Sequence, residues 1–267
     1  MRRGWFVPIA AVLGFAFLYA PIVSLVVFSF NSNRLVTVWA GFSLNSYATL
    51  FADPQMLSAA WLSLQIAAIS ATIALVLGTL CAIALVRFRR FRGRTVLQAT
   101  VSAPLVMPDV ITGLALLLTF VAMEALVGWP SGRGMLTIVI AHATFCTAYV
   151  TVVVQSRLAD FDLSLEEAAM DLGASPVRVF FDITLPIIAP ALVSGWLLSF
   201  TLSLDDLVIA SFVSGPGSST LPMVIFSKIR LGVSPDVNAL ATIIIGIVAT
   251  GVLVATILQL RRPKRAA

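Results

Sequence analysis

The chain has 267 residues, of which 60% are hydrophobic and only 11% charged. With a mean hydropathy of +1.04, this composition excludes an ordinary soluble domain. The net charge of +5 does not indicate nucleic acid, because the basic residues are not a patch but punctuation between apolar stretches.

A transmembrane helix needs about 20 mostly apolar residues. Six stretches qualify, at 6–30, 59–86, 96–122, 135–156, 187–213 and 238–260. Strict two-residue alternation, the mark of an outer-membrane barrel, is absent. The first stretch follows Arg2-Arg3 and is about twice as long as the core of a signal peptide, so it reads as a retained signal-anchor. With the N-terminus inside, six crossings put Arg2, Arg3, Arg87, Arg89, Arg90, Arg92, Arg94, Arg157, Arg178, Arg261, Arg262, Lys264 and Arg265 on the cytoplasmic side. Only Arg34, Arg133, Lys228 and Arg230 lie outside. This is the positive-inside bias, and it predicts an even number of crossings with both termini cytoplasmic. Contact with lipid headgroups is a secondary use of the same residues.

Residues 31–58 read as an outer loop with Asn31, Asn33 and Trp39, and Trp61 nearby, as interfacial anchors. A short basic inner loop follows at 87–95. The third span carries Pro104 and Pro108, which predict a kink or break. Asp109, directly after Pro108, caps the resumed helix or faces a pathway. Residues 123–134 form an outer turn with Gly128, Pro130, Gly132 and Gly134 beside the solvated Glu124. Cys81 and Cys146 fall within spans and read as small core residues without a disulfide. His142, the single histidine, reads as a packed or hydrogen-bonded core residue.

Residues 157–186 are unlike the rest, charged and punctuated for helices that meet water. Ser164 with Glu167 three residues later has the form of a capping box. Leu165, Ala168, Ala169 and Leu172 make one narrow apolar stripe. Gly173 can close this helix in the left-handed conformation. Ser175-Pro176 can open a second helix, and Pro186 marks the next break. A short amphipathic hairpin of this kind suits docking into a partner's groove.

Asp205 and Asp206 lie within the fifth span, where each charge costs about 2.5–3.5 kcal/mol. At about 1.5 Å per residue they stand roughly 27 Å from position 187. Neighbours point about 100° apart. At most one therefore faces a pathway squarely, and the other caps a helix break or meets a partner. The last outer loop, 214–237, contains a short helix over Leu221 to Arg230, with Lys228 and Arg230 expected in water. No lysine follows glycine, so a phosphate-binding P-loop is absent. So are His-Glu-x-x-His, Gly-x-Ser-x-Gly and any metal-ligand cluster. The residues thus give no support to an enzyme.

Glu167-Ala168-Ala169, Gly173, Ile183 and Leu185-Pro186 resemble, in type and spacing, the EAA signature of permease subunits of ABC importers. Ala103 to Gly113, Ser203 to Leu207, Ser211 to Pro216 and Gly232 to Thr242 are similar to permeases of the bacterial putrescine and spermidine importers, and the similarity covers nearly the whole chain. The resemblance implies an all-α type I ABC permease fold with six transmembrane helices. It divides the chain into an N-terminal anchor and loop at 1–57, a transmembrane domain at 58–260 and a basic tail at 261–267. It implies a polyamine importer, most readily for putrescine, that pairs with a second homologous permease, a cytoplasmic ATPase homodimer and a periplasmic binding protein. No cofactor is expected on this chain, ATP-Mg being bound by the partner ATPase. Leu165, Glu167, Ala168, Ala169, Leu172, Gly173, Leu185 and Pro186 would couple to the ATPase. Asp205, Asp206, Asp109, Trp196 and Tyr149 would line the substrate path, carboxylates meeting ammonium groups and rings supplying cation–π contact. A permease for spermidine or another cation, and a non-transporting membrane scaffold or sensor, are the alternatives open at this stage.

Overall fold

The computed structural model describes residues 5–33, 38–88, 90–231 and 235–261. Arg2, Arg3, Arg34, Arg89, Arg262, Lys264 and Arg265, and residues 232–234, lie outside the described residues. Among those described, every element is helical apart from one isolated bridge between Asn31 and Phe42. The chain divides into two units, one of residues 1–57 with 225–267 and one of residues 58–224.

In the first unit, α1 (Phe6–Phe28) and α2 (Asn45–Phe51) both pack on α12 (Pro235–Arg261). The side chain of Asp53 accepts the backbone N–H groups of Gln55 and Met56 at 3.0 and 3.1 Å, so it caps the helix that starts at Pro54. Lys228, near the end of α11 (Leu221–Leu231), does not stand in water as expected. Its Nζ lies 2.6 Å from Asp53 Oδ2 and 2.6 Å from Asp236 Oδ2. The sequence hides this because Asp53 is far away along the chain. The Lys228 hydrogen bond holds the Asp53 carboxyl below the usual carboxylate range. Burial alone would lower the Lys228 ammonium, but hydrogen bonds from Asp236 and Asp53 outweigh it and raise it. The Arg230 guanidinium lies over the Phe226 ring at 4.7 Å.

The second unit is organised around α6 (Met135–Ala159), whose Ile138, Ala141, Cys146, Val150, Val154 and Leu158 are all buried. It packs on α4 (Arg94–Val106), α5 (Asp109–Val127), α9 (Leu185–Asp205) and α10 (Val208–Val213), and on α3 (Pro54–Arg87), whose Ser70 hydroxyl donates to Val139 O at 3.2 Å. Small residues bring the backbones together. A Cβ added at Gly78 would sit 2.7 Å from the Val150 Cβ, and one at Gly113 would sit 2.7 Å from Phe212 Cδ2. Cys146 is buried and Cys81 half-buried, and both thiols are free.

Five helical stretches are long and apolar enough to cross a membrane: Phe6–Phe28, Pro54–Arg87, Asp109–Val127, Met135–Ala159 and Pro176–Asp205. The sixth expected span corresponds to α12, apolar over Pro235–Thr250. Two of the six expected spans are interrupted. The third breaks between α4 and α5, where Met107 is extended because the proline that follows disfavours its helical conformation. The fifth breaks between α9 and α10, with Asp206 extended at φ −66° and ψ 125°. No proline stands there, and the carboxylate described below supplies the cause.

Candidate functional site

The first candidate region is the hairpin of α7 (Ser164–Asp171) and α8 (Pro176–Val179). The expected capping box is not formed. The Glu167 N–H already bonds to Leu163 O at 3.1 Å, so it is not available to the Ser164 hydroxyl. Instead Asp162 Oδ1 accepts the Ser164 N–H at 3.0 Å, and that hydrogen bond draws the exposed Asp162 carboxyl below its ordinary range. The helix ends in a Schellman motif. Gly173 has φ +84°, its N–H bonds to Met170 O at 2.9 Å, and the Ala174 N–H bonds to Ala169 O at 3.1 Å. Ser175 then caps α8 by accepting the Arg178 N–H, with Pro176 at the first helical position.

This hairpin presents apolar side chains outward. Leu172 is 89% exposed, Val177 67% and Leu165 48%. Ala168 and Glu167 are also exposed, whereas Ala169 is half-buried. Beyond α8 the backbone widens into a π-helical turn at Phe180–Thr184 before α9 begins with Leu185 and Pro186.

Glu166 is a residue that sequence reasoning missed. Its Oε1 accepts Arg87 Nη2 at 2.6 Å and the Thr184 hydroxyl at 2.5 Å. The Arg87 guanidinium also lies 5.1 Å from the centroid of the Phe161 ring. Arg87 reads in the sequence as one topology charge among several, and 79 residues separate it from its partner. The adjacent carboxylates Glu166 and Glu167 were the only signal.

The second candidate region is the break after α9. Asp206 Oδ1 accepts the Ile209 N–H at 3.3 Å, and Oδ2 accepts the Ala210 N–H at 2.7 Å, so this carboxylate caps α10. His142, fully buried on α6, places Nε2 3.1 Å from Asp206 Oδ2 and Nδ1 2.7 Å from Ser203 Oγ. Both ring nitrogens and both carboxylate oxygens are therefore engaged, which is what a low-dielectric interior requires of polar groups. Asp205 takes no part in this network and is exposed.

The remaining sequence candidates are not gathered with it. Asp109 is exposed at the first helical position of α5, where its charge suits the helix N-terminus and Pro108 takes the capping position. Trp196 donates from Nε1 to Thr72 Oγ1 at 3.1 Å and stacks on Phe200 at 5.2 Å. Tyr149 meets Phe145 edge-on at 6.2 Å. Among the described residues, no hydrogen bond or ring contact joins Asp109, Tyr149, Trp196 and Asp205. Glu124 accepts the Gly132 N–H at 2.9 Å. No group of three or more metal-ligating side chains occurs among the described residues.

Residues 74–265 match the family described as binding-protein-dependent transport system inner membrane component. The chain belongs to that family. It is 60% identical to the putrescine transport system permease protein PotI of Escherichia coli K12 over 265 residues, which cover 99% of this chain and 94% of that protein. It is 47% identical to the spermidine/putrescine transport system permease protein PotC of Haemophilus influenzae over 231 residues, 86% of this chain and 87% of that one. Its fold is that of a chain in a bacterial ABC transporter involved in import of the acidic polysaccharide alginate. The TM-score is 0.73 at 18% identity, over 98% of this chain and 99% of that one. As an inner membrane component, the protein is a multi-pass transporter subunit.

Proposed function

We propose that this chain is the permease subunit of an ATP-driven polyamine importer, with putrescine as its principal substrate. The observation that carries this reading is the 60% identity to a putrescine permease across 99% of the chain. The geometry supports it from two sides. The α7–α8 hairpin offers Leu165, Ala168 and Leu172 outward, the form of surface that fills a partner's groove. An ATPase subunit docked there, with ATP-Mg bound to that partner, would pull on a helix whose end is set by Gly173. Exposed Glu167 would meet a basic group on the same partner, Ala169 would support the face from beneath, and Leu185-Pro186 would set the start of the span that moves.

On the substrate side, the two aspartates have different work. Asp206 is consumed by His142 and two backbone amides. Asp205 is the carboxylate left to meet an ammonium group of the substrate, and Asp109, Trp196 and Tyr149 would line other parts of the same path. The assembly would include a second homologous permease, two ATPase copies and a periplasmic binding protein. The basic residues would set both termini on the cytoplasmic side.

The test is ATP-dependent uptake of labelled putrescine against spermidine in proteoliposomes holding the four kinds of subunit. Putrescine uptake that Asp205→Asn reduces about ten-fold, with assembly unchanged, is the expected result for loss of a charge-assisted contact. ATP hydrolysis without uptake of either amine would discard the substrate, and full uptake by the variant would remove Asp205 from the path.

A further inference from the structure

Among the side chains that the proposed docking face and substrate path leave unused, one small cluster joins several elements of the second unit. Glu166 Oε1 receives Arg87 from the last turn of α3 and Thr184 from the π-helical turn that leads into α9. Phe161, in the connection from α6 to α7, lies under the same guanidinium. One oxygen of α7 is thereby tied to the ends of two spans, and its main cation is braced by the segment leaving a third.

We propose that Glu166 is the positioning residue that hands motion of α7 to the spans, whereas Glu167 and the exposed apolar residues only hold the partner. Three observations carry this. The carboxylate is half-buried with its arginine, side-chain exposure 18% for each, so the bond is shielded more than a surface ion pair. Thr184 is buried and stands within a π turn, a local widening that often marks functional sites. The apolar core alone does not fix the hairpin, since no residue of α7 is fully buried. Val179 of α8 is buried, but it lies beyond the Gly173 turn. The polar node is thus the principal tether that α7 itself possesses among the described contacts. A helix held by apolar contacts could slide when pulled. A helix held by a charged hydrogen bond to one arginine and one hydroxyl transmits displacement in a fixed direction, because such bonds weaken steeply with misalignment.

The inference rests on the permease reading, so its test includes a readout that needs no substrate. In the assembled complex, backbone hydrogen exchange is followed with and without nucleotide on the ATPase. In the unaltered complex, nucleotide is expected to change exchange in α7, in the last turn of α3 and in the π turn together. In Glu166→Ala, α7 is expected to respond while the other two segments do not, with the ATPase still co-purifying at the unaltered ratio. Uptake per ATP hydrolysed should fall about ten-fold, within the range typical of coupling between two sites. The charge-swapped pair Arg87→Glu with Glu166→Arg should recover much of that loss, which a variant that merely misfolds would not do. An unchanged exchange response at α3 and the π turn in Glu166→Ala would overturn the proposal. So would loss of the ATPase, which would place Glu166 in the docking surface. If no polyamine is taken up by any complex, the exchange comparison still decides the role of Glu166, and only the substrate reading fails.

Discussion

The α7–α8 hairpin and the break between α9 and α10 solve opposite problems. The hairpin keeps apolar side chains outward, with Leu172 89% exposed, and turns its key carboxylate inward to Arg87 and Thr184. The break sits among apolar spans and spends every side-chain polar atom of Asp206 and His142 on a neighbour. In the proposed assembly the first region is completed by another protein, since its apolar side chains stand on a charged hairpin outside the apolar spans. The second is complete within one chain. The contrast teaches that a carboxylate in a membrane protein is not a pathway residue by default: of two adjacent aspartates, one is architecture.

Substitutions can break this contrast. The largest effect is expected from Asp206→Ala, which strips an acceptor from His142 and from two amides. Loss of hydrogen bonds to a charged group predicts destabilisation of about 3 kcal/mol, seen as a lower melting temperature and poor recovery of the purified complex, while Asp205→Asn should melt like the unaltered protein. Equal destabilisation by both would erase the distinction between them. Leu172→Glu should leave the chain's own melting unchanged and weaken ATPase binding by about 2 kcal/mol, roughly 30-fold, as removal of a central interface anchor does. Titrated co-purification would measure it, and normal binding would mean that the exposed face is lipid-facing or idle. Gly173→Val sharpens the comparison further. Nothing lies within 4 Å of a Cβ at Gly173, so its penalty is backbone strain at φ +84° rather than a clash. A left-handed β-branched residue costs roughly 1–2 kcal/mol, which should misdirect α7 and reduce uptake per ATP without lowering insertion into the membrane.

The smallest effect concerns Lys228 with Asp53 and Asp236. Asp53 titrates below its ordinary 3.8, so its contribution is present above that value and disappears as the pH falls through the lowered value. Lys228 titrates above its ordinary 10.5, so its contribution is full below that value and is lost as the pH rises through the raised one. This cluster should therefore make melting no more or less sensitive to pH around neutrality, while Asp53→Asn should lower stability there by about 1 kcal/mol, the modest worth of a partly exposed pair. A titration midpoint near neutrality that vanishes in Asp53→Asn would contradict this assignment.

Local chemistry was legible in the sequence. The glycine that ends α7, the Ser-Pro that opens α8, the proline that interrupts the third span and the short helix over Leu221 to Arg230 all act within a few residues of themselves, and each stands where the pattern puts it. Partnerships across the chain were not. The Ser164–Glu167 box is a local pattern too, but Asp162 offers a stronger acceptor two residues earlier and starts the helix first. Glu166 could not be told from Glu167 without knowing that Arg87 arrives from 79 residues away. His142 and Asp206 are separated by 64 residues, so the division of labour between Asp205 and Asp206 was legible only as a choice between two, and packing makes it.

The π turn at Phe180–Thr184 has a geometric consequence of its own. An α-helix advances about 100° per residue, and a π turn holds one residue more than the α turn it replaces. That extra residue sets the angular phase between α8 and everything that follows in α9. Were the turn to tighten to ordinary α geometry with its residue count unchanged, the hairpin would swing by about 100° around the α9 axis. Leu172 and its neighbours would then address a different side of the protein, and Glu166 would lose sight of Thr184. The width of that one turn is, in this sense, the angular setting between Gly173 and Leu185-Pro186.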